Sequence, residues 1–263
     1  MVQVHPSAIV DPEAQLGDDV RVGPFSIIGA AVRLGEDTEI GSHVVLAGNT
    51  TIGRSNRIYP FCSIGTIPQD KKYGGEDTQL IIGDRNTIRE YCLINTGTVQ
   101  GGGVTRVGSD NWIMGYTHFA HDCAIGSNTI IANGVQLAGH VSVGDWTVIG
   151  GVAAIHQFVR LGAHSMCGGG SILVQDLPPY MVCSGHPAQA HGIHVEGLKR
   201  RGFSAESIAC LRRAYRIVYR ENRPLADALV ALDAFVQELP EHNAALVREF
   251  AEFLAAPGRG ILR

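Results

Sequence analysis

The sequence predicts a mainly β protein: a parallel β-helix over residues 1 to about 178, followed by a small α-helical domain. Three observations predict this fold. An aliphatic residue recurs at every sixth position, glycine often follows it, and the pattern stops well before the C-terminus. A period of six fits neither an α-helix, with a period of 3.6, nor a plain strand, with a period of 2. A triangular coil of three short strands does fit, because each strand then points one aliphatic side chain inward.

The repeat runs in two blocks. Its inward positions, called anchors here, follow in steps of six from Val4 to Ile64, continue at Ile82, Ile88 and Ile94, and resume one residue out of frame from Val107 to Leu173. Residues 18 apart in an uninterrupted block should therefore stack one coil above another, about 4.8 Å apart. Cys167 is the one small anchor. A run of this length is highly specific for a solenoid.

Two insertions and a change of pattern divide the chain. Residues 66–81 and 95–106 break the repeat, and insertions in a solenoid form loops that often lie on the binding face. From about residue 188 the apolar spacing becomes helical. Ser204 is placed to cap a helix, and residues 225–239 and 241–255 predict two more helices. We therefore expect a β-helix over residues 1–187 and a helical domain over residues 188–263.

Composition limits the partners and the compartment. The formal net charge of −4 gives no general attraction to nucleic acid or to an anionic membrane. No stretch reaches the 18 or so apolar residues of a membrane span, and the N-terminus lacks a signal pattern. The six cysteines contain no CxxC pair and favour reduced thiols. We expect a cytoplasmic protein without nucleic-acid partner or membrane span.

Four histidines cluster in the second block of repeats. His118, His121, His140 and His156 fall within 39 residues. His121, Gly139 and the residue 18 further on belong to one column of the coil. A histidine beneath a bare glycine leaves room for a substrate carbonyl, with a backbone N–H close by. For the other three histidines, a purely structural role at the corners of the coil stays open.

Four segments carry a family resemblance. HFAHDC (118–123), LAGHVSVGDW (137–146), IHQF (155–158) and VEGLKRRGFS (195–204) resemble the UDP-N-acetylglucosamine O-acyltransferases, which belong to the left-handed hexapeptide-repeat proteins. The resemblance implies transfer of a 3-hydroxyacyl chain from the phosphopantetheine arm of acyl carrier protein to the glucosamine 3-hydroxyl of UDP-N-acetylglucosamine. This is the first step of lipid A synthesis. It also implies a homotrimer with active sites shared between subunits, no bound cofactor and no metal.

The resemblance also implies roles for single residues. His121 is the general base, Asp122 orients it, and Gly139 offers its N–H to the oxyanion. The expected substrate contacts fall into groups: the cleft (His118, His140, His156, Gln157), the sugar and phosphates (Asp70, Lys72), the nucleotide (His194, Glu196, Arg200, Arg201) and the acyl chain (Met166, Gly169). The basic run at 199–201 suits a diphosphate on its own chemistry. Two positions depart from the family pattern: Asn95 stands where some relatives carry histidine, and His194 where an amide is commoner.

Chain length can also be addressed from the repeat. Gly169 lies 48 residues after His121, or about 2.7 coils and roughly 13 Å along the axis. The glycine run 168–170 leaves this part of the surface open. We therefore expect a long 3-hydroxyacyl chain, measured near Gly169.

Three other functions are compatible with a hexapeptide coil. A zinc enzyme resembling the γ-class carbonic anhydrases would use three histidines, but the helical domain and VEGLKRRGF would then have no purpose. The related N-acyltransferase of lipid A synthesis usually carries an additional N-terminal domain, whereas the repeat begins at Val4 here. A purely structural solenoid needs no histidine cluster.

Overall fold

In the computed structural model, which describes residues 1–256 and 258–263, the chain forms a left-handed parallel β-helix capped by a hairpin and followed by helices. The strands are β1 Gln3–Val4, β2 Ile9–Val10, β3 Gln15–Leu16, β4 Arg21–Val22, β5 Ile27–Ile28, β6 Arg33–Leu34, β7 Glu39–Ile40, β8 Val45–Leu46, β9 Asn49–Ile52, β10 Arg57–Ile58, β11 Ser63–Thr66, β12 Gln79–Ile82, β13 Thr87–Ile88, β14 Leu93–Asn95, β15 Val104–Val107, β16 Trp112–Ile113, β17 His118–Phe119, β18 Ala124–Ile125, β19 Ile130–Ile131, β20 Gln136–Leu137, β21 Ser142–Val143, β22 Val148–Ile149, β23 Ala154–Ile155, β24 Arg160–Leu161, β25 Met166–Cys167, β26 Ile172–Leu173, β27 Met181–Gly185 and β28 Ala188–Ile193. The helices are a 3₁₀ turn at Val99–Gly101, α1 Val195–Arg200, α2 Ala205–Tyr219, α3 Leu225–Gln237 and α4 Glu241–Ala255.

The strands stack into three sheets, one per side of the triangular coil. Sheet A begins with β1, β4 and β7, sheet B with β2, β5 and β8, and sheet C with β3, β6 and β9, each continuing with every third strand. Pairing is parallel, with Val4 opposite Val22 and Phe119 opposite Leu137. The predicted stacking of residues 18 apart is confirmed.

The anchors build the core. Ile113, Ile131 and Ile149 are fully buried, and Phe119 lies among them with no exposed surface. Burial of each such side chain is worth about 1.5–3 kcal/mol. Val4, by contrast, is 42% exposed because its coil is the terminal one.

Three corners join the sheets, and each contains non-glycine residues with φ near +60°. The AB corner, between sheets A and B, includes Phe25, His43, Phe61, Tyr91, Tyr116 and Val152. The BC corner includes Asp122, His140 and Phe158. The CA corner includes Asp19, Asp37, Trp146, His164 and Tyr180. Side chains at one corner stack along the axis, so a corner is a continuous edge of the prism.

The two insertions are shorter than the sequence predicts. β11 extends to Thr66 and β12 begins at Gln79, which leaves residues 67–78 as the first loop. In the second, β14 includes Asn95 and β15 begins at Val104, which leaves 96–103. The ends of both predicted insertions join the ladder of sheet C or B, because Leu80 pairs with both Thr50 and Thr105.

The helices begin later than the change of pattern at 188 suggests. Residues 188–193 pair antiparallel with β27, and α1 starts at Val195. The predicted cap of α2 is confirmed, since Ser204 Oγ accepts a hydrogen bond from the Ser207 amide at 3.1 Å. The two later helices also form, and α3 ends two residues earlier than predicted. The division into two domains stays a prediction.

The C-terminal segment returns to the coil. The Asp176 carboxylate, which is fully buried, accepts a hydrogen bond from Arg160 Nε at 2.8 Å, and the Asp176 backbone carbonyl accepts one from the Leu262 amide at 2.8 Å. This joins the helical region to the last coils. All six cysteines are free thiols, and five are buried. Within the described part of the chain, every helix is too short or too polar to cross a bilayer.

Candidate active site

The centre of the site is a histidine and aspartate pair at the BC corner. His121 Nδ1 lies 2.8 Å from Asp122 Oδ2. Because a carboxylate only accepts, Nδ1 carries the proton and donates it, which leaves the lone pair on Nε2. Asp122 sits at φ +60°, so its side chain turns back toward the second loop and alongside His121.

The second loop holds the Asp122 carboxylate in place. Oδ1 accepts from the Thr98 amide at 2.8 Å, and Oδ2 accepts from the Thr98 hydroxyl at 2.6 Å. The Asp122 amide donates to Thr105 Oγ1 at 2.8 Å. The Asp122 side chain is only 2% exposed. Such a buried charge requires these partners, and together they fix the orientation of the imidazole.

Gly139 lies directly over the imidazole. A Cβ at this position would stand 2.5 Å from His121 Cε1 and 2.7 Å from Nε2, so only glycine leaves the ring where it is. Among the described residues, the Gly139 N–H donates to no protein acceptor. The stacking of His121 under Gly139 therefore matches the column expected from the repeat, with an unpaired donor beside the base.

Two more histidines line the same corner. His140 Nε2 lies 3.6 Å from Asp122 Oδ2, and its ring meets His121 edge-on at 5.1 Å and stacks on Phe158 at 4.4 Å. Burial is the main cause that lowers the pKa of His140, while the charges of Asp122 and Asp70 act in the opposite direction. This imidazole is therefore a neutral hydrogen-bonding group at neutral pH.

His118 lies on the outer face of sheet B. Its Nε2 is 3.1 Å from Asn95 Oδ1, and Asn95 in turn donates to the Ile67 carbonyl at 2.9 Å. Burial lowers the pKa of His118. Asn95 thus connects this histidine to the first loop, whose Asp70 accepts from the Lys72 amide at 2.9 Å. Lys72 itself is exposed.

His156 and Gln157 follow in the next coil. His156 is exposed, and its Nδ1 lies 3.1 Å from the Gln157 carbonyl. Gln157 occupies the position of His121 and Gly139 one coil further on, and the Phe158 amide donates to the Gly139 carbonyl at 3.1 Å. These residues extend the cleft along the axis.

The predicted nucleotide segment lies at a different corner. Arg201 Nη1 is 3.4 Å from His164 Nδ1, its guanidinium lies 5.5 Å from the Trp146 ring centre, and His194 Nδ1 is 3.2 Å from the His164 carbonyl. All these partners are CA corner residues. Burial lowers the pKa of Arg201 and of His194. Glu196 pairs with Lys199 at 3.0 Å, and Arg200 is exposed.

The predicted acyl-chain residues lie at a third position. Met166 is half-buried on the outer face of sheet A, and Gly169 is exposed at the AB corner. A Cβ on Gly169 would meet the Gly151 carbonyl at 3.2 Å, so a small side chain needs only a slight adjustment there. Thus one chain brings together His121, Asp122, Gly139 and His140, but distributes the nucleotide segment and the acyl-chain residues over the other two corners.

Several residues of this site escape sequence reasoning. Thr98 and Thr105 hold Asp122 from the second insertion, and Phe158 supports His140. The corner position of Phe158, 18 residues after His140, was a usable signal. The threonines gave none, because residues in an insertion have no place in the repeat.

Matches to known proteins cover the entire chain. The family model "Udp N-acetylglucosamine O-acyltransferase; Domain 2" matches residues 176–262, and the model of bacterial transferase hexapeptide repeats matches residues 105–139. The acyl-[acyl-carrier-protein]--UDP-N-acetylglucosamine O-acyltransferase of Thiobacillus denitrificans is 54% identical over 263 residues, which is 100% of both proteins.

Solved structures agree over the same length. LpxA from Acinetobacter baumannii is 42% identical, with a TM-score of 0.93 over 99% of each chain. The UDP-N-acetylglucosamine acyltransferase of Francisella novicida is 38% identical, with a TM-score of 0.95 over 99% of this chain and 94% of that one. Similarity therefore extends over both the coil and the helices.

Proposed function

Because the chain belongs to the UDP-N-acetylglucosamine O-acyltransferase family, we propose that it moves a 3-hydroxyacyl chain from acyl carrier protein to the glucosamine 3-hydroxyl of UDP-N-acetylglucosamine, the first step of lipid A synthesis. The observation that carries the proposal is the His121 and Asp122 pair beneath Gly139. No cofactor takes part; the acyl group arrives as a thioester on the phosphopantetheine arm of the carrier.

His121 is the general base. Its Nε2 takes the proton of the sugar hydroxyl as the oxygen attacks the thioester carbonyl, and the resulting imidazolium is stabilised by the Asp122 carboxylate. The same proton then passes to the leaving thiolate. Because attack is direct, no acyl-enzyme forms and no nucleophilic side chain is needed.

The tetrahedral intermediate places negative charge on the former carbonyl oxygen. The Gly139 N–H is the donor for that oxyanion, since it lies beside the His121 ring and has no other acceptor among the described residues. His118, His140, His156 and Gln157 line the rest of the cleft and orient the two substrates.

The nucleotide is held from the CA corner. Arg200 and Arg201 grip the diphosphate, with His194 and Glu196 beside them, and Asp70 and Lys72 reach the sugar and phosphates from the first loop. The acyl chain runs along the coils toward Met166 and Gly169, and a long chain fits because Gly169 has no side chain to block it.

These assignments require a second copy of the chain. His121 lies at the BC corner and Arg201 at the CA corner, and one sugar nucleotide cannot reach around a side of the prism to both. In a homotrimer with parallel axes, the BC corner of one protomer can face the CA corner of the next. The active site is therefore shared between subunits. The six free thiols support a cytoplasmic location.

The first test replaces the base. We expect His121→Ala to lose a factor of about 10² to 10⁴ in turnover while the coil stays folded. Acyl transfer is measured with UDP-N-acetylglucosamine and 3-hydroxyacyl carrier proteins of several lengths. A variant that keeps more than about a tenth of the wild-type rate contradicts the assignment of His121.

The second test addresses the shared site. His121→Ala and Arg201→Ala chains are prepared separately and then refolded together in equal amounts. If each site takes His121 from one subunit and Arg201 from the next, about a quarter of the sites in the mixed trimers are intact. Restored activity near that level supports sharing; a mixture no more active than its components contradicts it.

A further inference from the structure

The centre of the BC corner has the donor set of a zinc site. We propose that His121, Asp122 and His140 bind Zn²⁺ in the resting protein and that the bound ion inhibits acyl transfer. Two imidazoles and one carboxylate offer three ligand atoms, all within 4.8 Å of one another. The inhibitory part rests on the proposed function, whereas binding of the ion does not.

The distances suit tetrahedral zinc. Ligand atoms on zinc stand about 3.3 Å apart when the bonds are about 2.0–2.1 Å long. Here His121 Nδ1 lies 2.8 Å and His140 Nε2 lies 3.6 Å from Asp122 Oδ2, so the two separations bracket that value. A shift of a few tenths of an ångström in the two rings brings all three ligands into place. The fourth position faces the cleft and takes a water.

The neighbours favour this ion and hold its ligands. Thr98 fixes the Asp122 carboxylate through its amide and hydroxyl, and Phe158 stacks on His140. Neutral imidazoles prefer zinc to magnesium or calcium, which take oxygen ligands. The His140 side chain is 20% exposed, which gives the ion a way in from the cleft.

Inhibition follows from the tautomer of His121. In the active form Nδ1 carries the proton, and Nε2 keeps the lone pair that accepts the proton of the sugar hydroxyl. Zinc displaces the proton from Nδ1 by taking that lone pair, and a neutral ring must then carry its one proton on Nε2. Such a ring cannot act as a base at Nε2. Zinc therefore removes the base without occupying the seat of the nucleotide.

The binding test uses the whole protein and zinc chloride alone. Equilibrium dialysis of the metal-free wild type should give one zinc per protomer at micromolar concentration, and Co²⁺ in its place should show the visible absorption of a tetrahedral site. His140→Gln should weaken binding at least about tenfold, the effect of losing even an outer partner of a metal site. Asp122→Asn serves as the second variant. His5→Ala is the control, because His5 is an exposed histidine whose ring contacts Ser7.

Activity gives the second reading. Zinc should lower kcat of the wild type and of His5→Ala alike, higher concentrations of the nucleotide sugar should not relieve the loss, and a chelator should restore turnover. Equal zinc affinity in wild type and His140→Gln overturns the site, and bound zinc with unchanged kcat overturns the inhibition. If the metal-free protein lacks transferase activity, the proposed function fails, while dialysis still decides whether the zinc site exists.

Discussion

Gly139→Ala tests the close approach on which the catalytic geometry depends. The added methyl would stand 2.5 Å from His121 Cε1, whereas ordinary contact begins at 3.4 Å. The ring must therefore move by about 1 Å. It is held by a 2.8 Å bond to Asp122, which such a movement stretches beyond hydrogen-bonding distance.

A misplacement of this size has a predictable effect. Displacement of a catalytic group by about 1 Å lowers the rate by on the order of 10², which corresponds to about 2.7 kcal/mol of transition-state stabilisation. Alanine retains the backbone N–H, so the loss comes from the displaced base and not from the oxyanion donor. The backbone tolerates alanine, because Gly139 is absent from the residues with positive φ.

The assay compares kcat, KM and thermal unfolding of three proteins. Gly29→Ala is the matched control, since its Cβ would lie 3.4 Å from the Leu46 carbonyl, an ordinary contact remote from the histidines. We expect Gly139→Ala to lose about 10² in kcat with little change in KM for the nucleotide sugar. A folded Gly139→Ala variant that keeps a third of the wild-type kcat refutes the reasoning.

Four more predictions concern binding and stability. Arg200→Ala should raise KM for the nucleotide sugar more than it lowers kcat in steady-state assays, because it holds phosphate; equal changes in both would assign it another role. Gly169→Met should shift donor preference to a shorter acyl chain in competition assays, and an unchanged preference in the folded variant would place the end of the chain elsewhere. Burial lowers the pKa of His164 to about 4, so between pH 6.5 and 4 the unfolded chain binds a proton that the folded one refuses. The free energy of unfolding should therefore fall by about 1–2 kcal/mol as the pH drops through that window, after allowance for partial solvent screening, and urea unfolding of His164→Gln should lack this part of the loss. Ser204→Ala should lower the free energy of unfolding by about 1 kcal/mol, because it removes the cap of α2, and an unchanged urea midpoint would contradict this.

The repeat explains why much of the site was predictable. In a coil with a strict period, the number of a residue determines both its height along the axis and its side or corner. The stacking of His121 under Gly139 follows from a separation of 18 residues, and the model bears it out. Handedness is different: the period is the same for either hand, and only resemblance to known proteins indicated the left-handed coil.

The ends of the insertions show the limit of that reasoning. Residues 79–81 and 104–106 interrupt the sequence pattern, yet they pair with each other in sheet C. A strand neighbour can supply backbone hydrogen bonds to any sequence, so a break in side-chain pattern need not break the ladder. In the same way, the six residues after 187 pair with β27 although their composition no longer follows the repeat.

By itself the sequence determined which residues face inward, which ones stack, and that a histidine lies beneath a glycine at one corner. Only the tertiary structure decided what surrounds that histidine. Thr98 reaches Asp122 across 24 residues because an aperiodic loop folds back over the coil. It also separated the expected contacts onto three edges of the prism, since residues from 121 to 201 pass every corner in turn. A period specifies positions within one chain, whereas loop conformation and the meeting of corners depend on contacts between segments that no period relates.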